Sequence, residues 1–228
     1  MRFINFALTL AVSCTMLAAA EKNKTAERLD DSAALFSEIM AAPDKSIPQD
    51  LLDKSYCIVL VPGLKKGAFG IGGKFGRGYS ICRHTAGEGW GPPAAIRIEG
   101  GSFGFQIGVS SSDVILLVMN ERGMKRLTTS KFTIGADAAA ALGPVGRNAT
   151  AQTDAMMTAE ILSWSRSRGL FAGVSLDGAT LRNDLDENQG LYGQRWTSKQ
   201  ILGSGAKIPA QASKLIADLN KYSPRRSK

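Results

Sequence analysis

The sequence predicts an α+β fold, a curved, mainly antiparallel β-sheet or partial barrel with flanking N- and C-terminal helices. Three observations predict it. An amphipathic helical stretch precedes the first strand pattern, the middle of the chain is a succession of apolar runs broken by glycine-rich turns, and helical periodicity returns from Asn188 onward. No internal repeat of fixed period interrupts this order.

Residues 1–20 carry one charge, Arg2, ahead of an apolar or small run from Phe3 to Ala20 that ends in three alanines. A basic start, a short apolar stretch and a small-residue end make an export signal cleaved near Ala20, with a retained membrane anchor as the alternative. Lipid anchoring through Cys14 is a minor option, because Ala11 stands where a lipobox has a large aliphatic residue. Cleavage removes Arg2, lowers the formal charge from +8 to +7 and leaves 208 residues, enough for one domain with a sizeable core. An exported protein of that charge is expected in the periplasm or on the cell envelope, facing anionic partners such as phospholipid headgroups.

Residues 21–45 hold the first helix, Thr25 to Ala42, in which Leu29, Ala33, Phe36 and Met40 recur at helical spacing before Pro43 stops the run. Ser46 and Gln49 form a capping-box pattern, with Pro48 in the first turn of a short helix through Leu51 and Leu52. Tyr56 to Val61 reads as a buried strand closed by Pro62-Gly63. Gly67 to Phe75 and Arg77 to His84 read as the arms of a hairpin. Its first arm carries Phe69, Ile71 and Phe75 on an apolar face and Gly70, Gly72 and Lys74 on the other. Seven glycines between Gly63 and Gly78 exceed what a strand tolerates for its own stability, so another segment or a ligand must approach that backbone closely.

Further strands are expected at Ala94–Glu99, Phe103–Val109, Val114–Met119, Met156–Ser165 and Leu170–Leu176, with a short helix at Arg122–Ser130. Strand and helix compete over the alanine-rich Phe132–Ala141. Asp177-Gly178 predicts a two-residue hairpin joining Val174–Leu176 to Ala179–Leu181. The tail is helical in pattern, most clearly at Ala210–Leu219, and its last residues are expected to fray.

Gly100-Gly101-Ser102-Phe103-Gly104 fits the hydrolase pattern G-x-S-x-G. The single histidine, His84, precedes the serine, whereas that fold places its histidine after the nucleophile. Ser102 therefore reads as part of a turn, no catalytic residue is assigned, and an enzyme is not expected. Cys57 and Cys82 are too few and wrongly spaced for zinc, and fit a disulfide and a pair of buried thiols equally well. Asp177, Asp184, Asp186 and Glu187 lie close in sequence but lack the spacing of a calcium loop. Gly73-Lys74 is followed by Phe75 rather than Ser or Thr, so no nucleotide, cofactor or metal is expected, and no nucleic-acid signature is present. What remains is charge on a glycine-rich scaffold. Lys65, Lys66, Lys74 and Arg77 are candidates for binding lipid headgroups, or form a solvated face. Leu29, Phe36 and Met40 either dock on the sheet or insert into a bilayer interface.

Residues 46–196 resemble the SYLF domain. The matching pieces are Ile47-Pro48 to Pro62, Lys66-Gly67-Ala68-Phe69-Gly70, Gly76-Arg77-Gly78, Trp90 with Pro92-Pro93-Ala94, Asp113 to Asn120, Gly143 to Asn148, and Ser167 to Ser175. The resemblance implies binding to acidic phospholipids, phosphoinositides in eukaryotic members, with an N-terminal amphipathic segment contributing to membrane contact. It also implies that some relatives bind and bundle actin filaments, so a protein partner of the envelope is the alternative. Arg147 and Arg168 lie in the resembling motifs. Residues 197–228 then form a C-terminal helical tail.

Overall fold

A computed structural model describes residues 24–42, 46–69, 71–84, 88–103, 108–144, 158–167, 170–173, 176–203 and 205–227. The signal expected at 1–20, Cys14, Arg147 and Arg168 lie outside the described residues.

The chain is α+β, with helices on either side of its curled sheet in sequence. Helix α1 (residues 24–41) and α2 (Gln49–Lys54) precede strands β1 (Cys57–Phe69), β2 (Ile71–Cys82), β3 (Ala94–Phe103) and β4 (Gly108–Val118). Helix α3 (Glu121–Leu127) leads to β5 (Lys131–Thr133), β6 (Ala140–Leu142), β7 (Ile161–Ser167), β8 (Leu170–Gly173) and β9 (Thr180–Asn183). Helices α4 (Leu185–Tyr192), α5 (Ser198–Gly203) and α6 (Ser213–Tyr222) close the chain. The strand order is β5-β9-β3-β2-β1-β4-β7-β6, and β8 pairs with β7 along Trp164–Ser167, next to the stretch that pairs with β6. Among these strands the pairings are antiparallel except β6 with β7.

Both faces of the sheet centre are buried, which is why Cys57 to Val61 is apolar without alternation. On one face Ile58, Leu60, Tyr79, Ile81, Leu117 and Trp164 pack against Leu29, Phe36 and Ile39 of α1, Leu52 of α2 and Leu215 and Leu219 of α6. On the other, Val59, Val61, Leu64, Ile96, Ile98 and Leu116 pack against Leu127, Phe132, Leu176 and Leu181. The helical stripe expected in α1 is thus core. Phe36 meets Tyr222 edge to face at 5.7 Å, and Met40 packs at the margin.

Several sequence expectations are corrected. Pro62-Gly63 does not end β1. It forms a bulge, with Gly63 at φ +64°, and the strand runs on to Phe69. The hairpin reverses between Phe69 and Ile71 rather than at Gly76, because Gly76 and Gly78 are needed inside β2, where β1 presses against them. A Cβ on Gly76 would meet Leu64 Cδ1 at 2.7 Å, and one on Gly78 would lie 2.0 Å from the Leu60 carbonyl oxygen. The close approach demanded by the glycines is made by the neighbouring strand.

Ala94–Glu99 lies in β3 and Val114–Val118 in β4; of the strand expected at 103–109, Phe103 closes β3 and Gly108 and Val109 open β4, while 104–107 lie outside the described residues. Asp177-Gly178 does turn, with Gly178 at φ +76°, but β9 leaves it to pair with β3 and β5 while β8 pairs with β7. The capping box at α2 does not form. Pro48 is the N-cap, and Gln49 instead donates to Asp53 Oδ1 at 2.9 Å and to the Tyr222 carbonyl at 2.7 Å.

The C-terminal end is docked, not frayed. Buried Arg83 donates to the carbonyls of Ser55 (3.0 Å), Leu52 (3.1 Å) and Ser223 (2.9 Å) and to the Ser223 hydroxyl, and it stacks 4.1 Å over the Trp90 ring. Trp90 Nε1 donates to the same Ser223 carbonyl at 2.8 Å, and Ser223 Oγ donates to Asp53 at 2.5 Å. Burial pushes Arg83 down to about 10, against the pull of Asp53, so the side chain stays charged at neutral pH. Arg226 covers the Tyr56 ring at 4.1 Å, and Ser227 N–H donates to Asp53 O at 2.9 Å.

Cys57 and Cys82, facing each other across β1 and β2, are joined in a disulfide that spans 25 residues and encloses the bulge and hairpin. Replacing both with Ala is expected to lower unfolding free energy by about 3 kcal/mol, read as a shifted urea midpoint in non-reducing buffer. Gly78→Ala should cost more than about 3 kcal/mol, as expected of overpacking against backbone. Gly73→Ala, where a Cβ meets nothing within 4 Å, should stay within about 0.5 kcal/mol. Equal losses for the two glycine variants would refute the close-approach account.

Candidate functional site

The end of the β1–β2 hairpin gathers positive charge because the bulge resets which side chains point to which face. Val61 and Leu64 both point into one core, two bulge residues apart, and Lys65 and Lys66 then fall on opposite faces. The bulge is clamped from β4, where Asp113 Oδ1 accepts from Gly63 N–H at 2.9 Å. Asp113 Oδ2 takes Arg166 Nε at 2.8 Å, and Arg166 also pairs with Glu38 of α1.

On one face, Lys65 stands directly opposite Phe75, and both are exposed, Phe75 to 47%. Phe75 is therefore not an interior residue, as the alternation of its own strand suggested. On the other face Lys66 stands directly opposite Lys74. Like charges in that register repel. Burial, and next the charge of Lys74, hold the Lys66 ammonium below the usual lysine range. Among the described residues, Lys65, Lys66 and Lys74 make no ion pair with an acid.

Arg77 is not part of this cluster. It lies deeper in β2, where its guanidinium is 3.1 Å from Asp184 and 3.8 Å from Glu187. Glu187 also takes Arg28 of α1 at 2.5 Å and the Tyr79 hydroxyl at 2.7 Å. Burial, reinforced by Glu187, pushes the Tyr79 hydroxyl far above the ordinary tyrosine range, so it remains a donor. Three of the four acids grouped in the sequence are engaged here. Asp184 caps α4 and pairs with Arg77, Glu187 anchors α1, and Asp186 pairs with Arg195 at 2.5 Å. Buried carboxylates with arginine partners are a clamp between α4, α1 and the sheet.

The serine pattern loses its hydrolase context. Gly100 to Ser102 are extended residues of β3 paired with Lys74 to Gly72, not a strand-to-helix elbow, and not the turn expected from the sequence. Leu29 and Phe36 are buried in the core and Met40 packs against it, so a bilayer role for them requires α1 to leave the sheet. The exposed side of α1 carries Glu27, Asp30, Asp31 and Glu38. An anionic surface would repel it.

A family profile described as Ysc84, Las17-binding protein actin regulator, matches residues 99–222. The chain is 32% identical over 190 residues to SH3 domain-containing YSC84-like protein 1 of Homo sapiens, which covers 82% of this chain and 55% of that protein. It is 31% identical over 176 residues to Protein YSC84 of Saccharomyces cerevisiae, covering 76% of this chain and 37% of that one. With SH3 domain-containing protein PJ696.02 of Schizosaccharomyces pombe it shares 33% identity over 177 residues, covering 76% and 41%. The chain spans about half the length of its animal relatives and less of the fungal ones.

With its proton affinity depressed in the folded state, charged Lys66 opposes folding at neutral pH, and that penalty fades as pH rises through its folded value toward the ordinary lysine range. Lys66 is accordingly expected to react with an amine-acylating reagent ahead of Lys65 at mildly alkaline pH, as read by peptide mass spectrometry. Lys74→Gln should remove part of that advantage by restoring proton affinity, and an unchanged order of labelling would contradict the cross-strand repulsion.

Proposed function

The chain belongs to the Ysc84, or SYLF-domain, family, and from that premise we propose that it is a non-catalytic domain that docks on anionic phospholipid surfaces through the end of its β1–β2 hairpin. The observation that carries this reading is the cluster of Lys65, Lys66 and Lys74 without acidic partners, set beside an exposed Phe75. Behind the hairpin, by contrast, Arg77 and Arg28 are matched by Asp184 and Glu187. At the hairpin the long lysine stems reach outward past glycines, and the phenyl ring supplies an apolar anchor at the level of the headgroups. Arg77 supports the hairpin from behind and is not a headgroup ligand in this reading. The expected export signal and envelope location would put such a surface next to anionic lipid.

A protein-docking reading is favoured by one specific observation, the match to a profile described by Las17 binding and actin regulation. Under that reading the same lysines meet an acidic protein surface rather than a bilayer.

Co-sedimentation with vesicles separates the two. Binding to vesicles containing an anionic phospholipid, absent with neutral vesicles and weakened by salt, is expected. Lys65→Gln, Lys66→Gln and Lys74→Gln together should lose roughly 3 kcal/mol, at roughly 1 kcal/mol per charge. Phe75→Ala should weaken binding further while leaving the unfolding midpoint nearly unchanged. Equal recovery with neutral and anionic vesicles, alongside lysine-dependent pelleting with actin filaments, would replace the lipid reading with the protein one.

A further inference from the structure

A second cationic feature lies away from the hairpin lysines. On the face of the sheet that carries Tyr79, Arg77, Arg97, Arg182 and Lys131 stand directly opposite one another on β2, β3, β9 and β5. Four like charges in one row across four strands are mutually repulsive. Arg77, at the inner end, is matched by Asp184 and Glu187. Beyond it, Arg97 and Arg182 share the carboxylate of Glu99, at 3.8 Å and 3.2 Å. The Nε of Arg97 is buried and makes no hydrogen bond. A buried donor left unsatisfied is costly, and a guanidinium donor especially so.

A cleft of about 250 Å³ is lined by Arg97, Arg182 and Arg195 together with Ser130, Asn183 and Thr197. Arg195 reaches it from the segment after α4 and is held by Asp186, which also lines the cleft. The lining itself holds three guanidinium groups and one carboxylate, that of Asp186. The excess of two positive charges matches the charge of roughly −1.5 to −2 on a phosphate monoester. Guanidinium forks bind such a group bidentately, and hydroxyl and amide groups complete its coordination.

We propose that this cleft is a phosphate-monoester site, with Arg97 and Arg182 as the principal ligands and Arg195 closing over the anion. A cleft of this volume holds one phosphate group, carried by a small soluble ester or by the headgroup of a single lipid. The site goes beyond the membrane-docking reading and uses other residues. Lys66 and Lys74 lie on the opposite face of the sheet.

Isothermal titration of the full chain with inorganic phosphate and with glycerol 3-phosphate tests the site. Saturable binding is expected, with glycerol 3-phosphate weakened about tenfold or more in Arg97→Gln/Arg182→Gln, as loss of hydrogen bonds to a charged group implies. Glu99→Gln should tighten it severalfold by removing the competing carboxylate, a gain that misfolding cannot mimic. Lys66→Gln/Lys74→Gln should leave it unchanged, which separates this site from the hairpin even if vesicle binding fails. Absence of saturable binding to either phosphate, or identical affinities in the wild type, Arg97→Gln/Arg182→Gln and Glu99→Gln, overturns the proposal. Competition by vesicles containing phosphatidic acid assigns the phosphate to a lipid headgroup, and lack of competition assigns it to a soluble ester. Either result upholds the cleft.

Discussion

The bulge at Pro62-Gly63 is the constraint on which the rest of the sheet depends. It lets β1 change register against β2 and β4 without losing either partner, and the backbone of Gly63 is tied to Asp113 at that point. Extra residues on one strand bend it and increase its twist. The bend drives Leu60, Val61 and Leu64 against β2 so closely that only glycine fits at positions 76 and 78. The same register change carries Leu64 into the core and turns Lys65 and Lys66 to opposite faces. Curvature, glycine content and the placement of the hairpin charges share one cause.

Charge is distributed by burial. Three arginines have an acid supplied by another element, Arg77 by the start of α4, Arg28 by α4 and Arg166 by β4 and α1. These pairs lock helices onto the sheet because removing either partner would strand a buried charge. At the hairpin end and in the cleft beside β3 and β9 the cations outnumber the acids, and water and space reach them. Repulsion tolerated there disfavours the unliganded state and is relieved by an anion, which links a small stability cost to binding.

The C-terminal segment is a structural part of the fold. Arg83, Trp90 and Asp53 converge on Ser223 and its neighbours, tying the end of the chain to α2 and to the start of the sheet. Beside them the Cys57–Cys82 disulfide fastens the other end of the β1–β2 ladder from the lysines. The hairpin end is thus presented from a strand pair held firmly at its base.

Local pattern carried much of this. The α+β class, the α1 stripe at Leu29, Phe36 and Met40, the apolar run of β1 and the turn at Asp177-Gly178 are legible because periodicity and turn chemistry act over a few residues. The family was legible too, from motifs spread along the chain. The lysines at 65, 66 and 74 could be nominated, but Arg77 could not be told from them, since its partners Asp184 and Glu187 lie more than a hundred residues away. Phe75 looked interior by alternation, yet whether a strand face is covered depends on other elements. The row from Arg77 to Lys131 was invisible for the same reason, because four strands distant in sequence are brought into register only by the sheet. By itself, then, the sequence determined the elements, the family and the stock of positive charge. Only the tertiary structure decided which charges are neutralised and which remain for a ligand, because pairing depends on distances that folding alone creates.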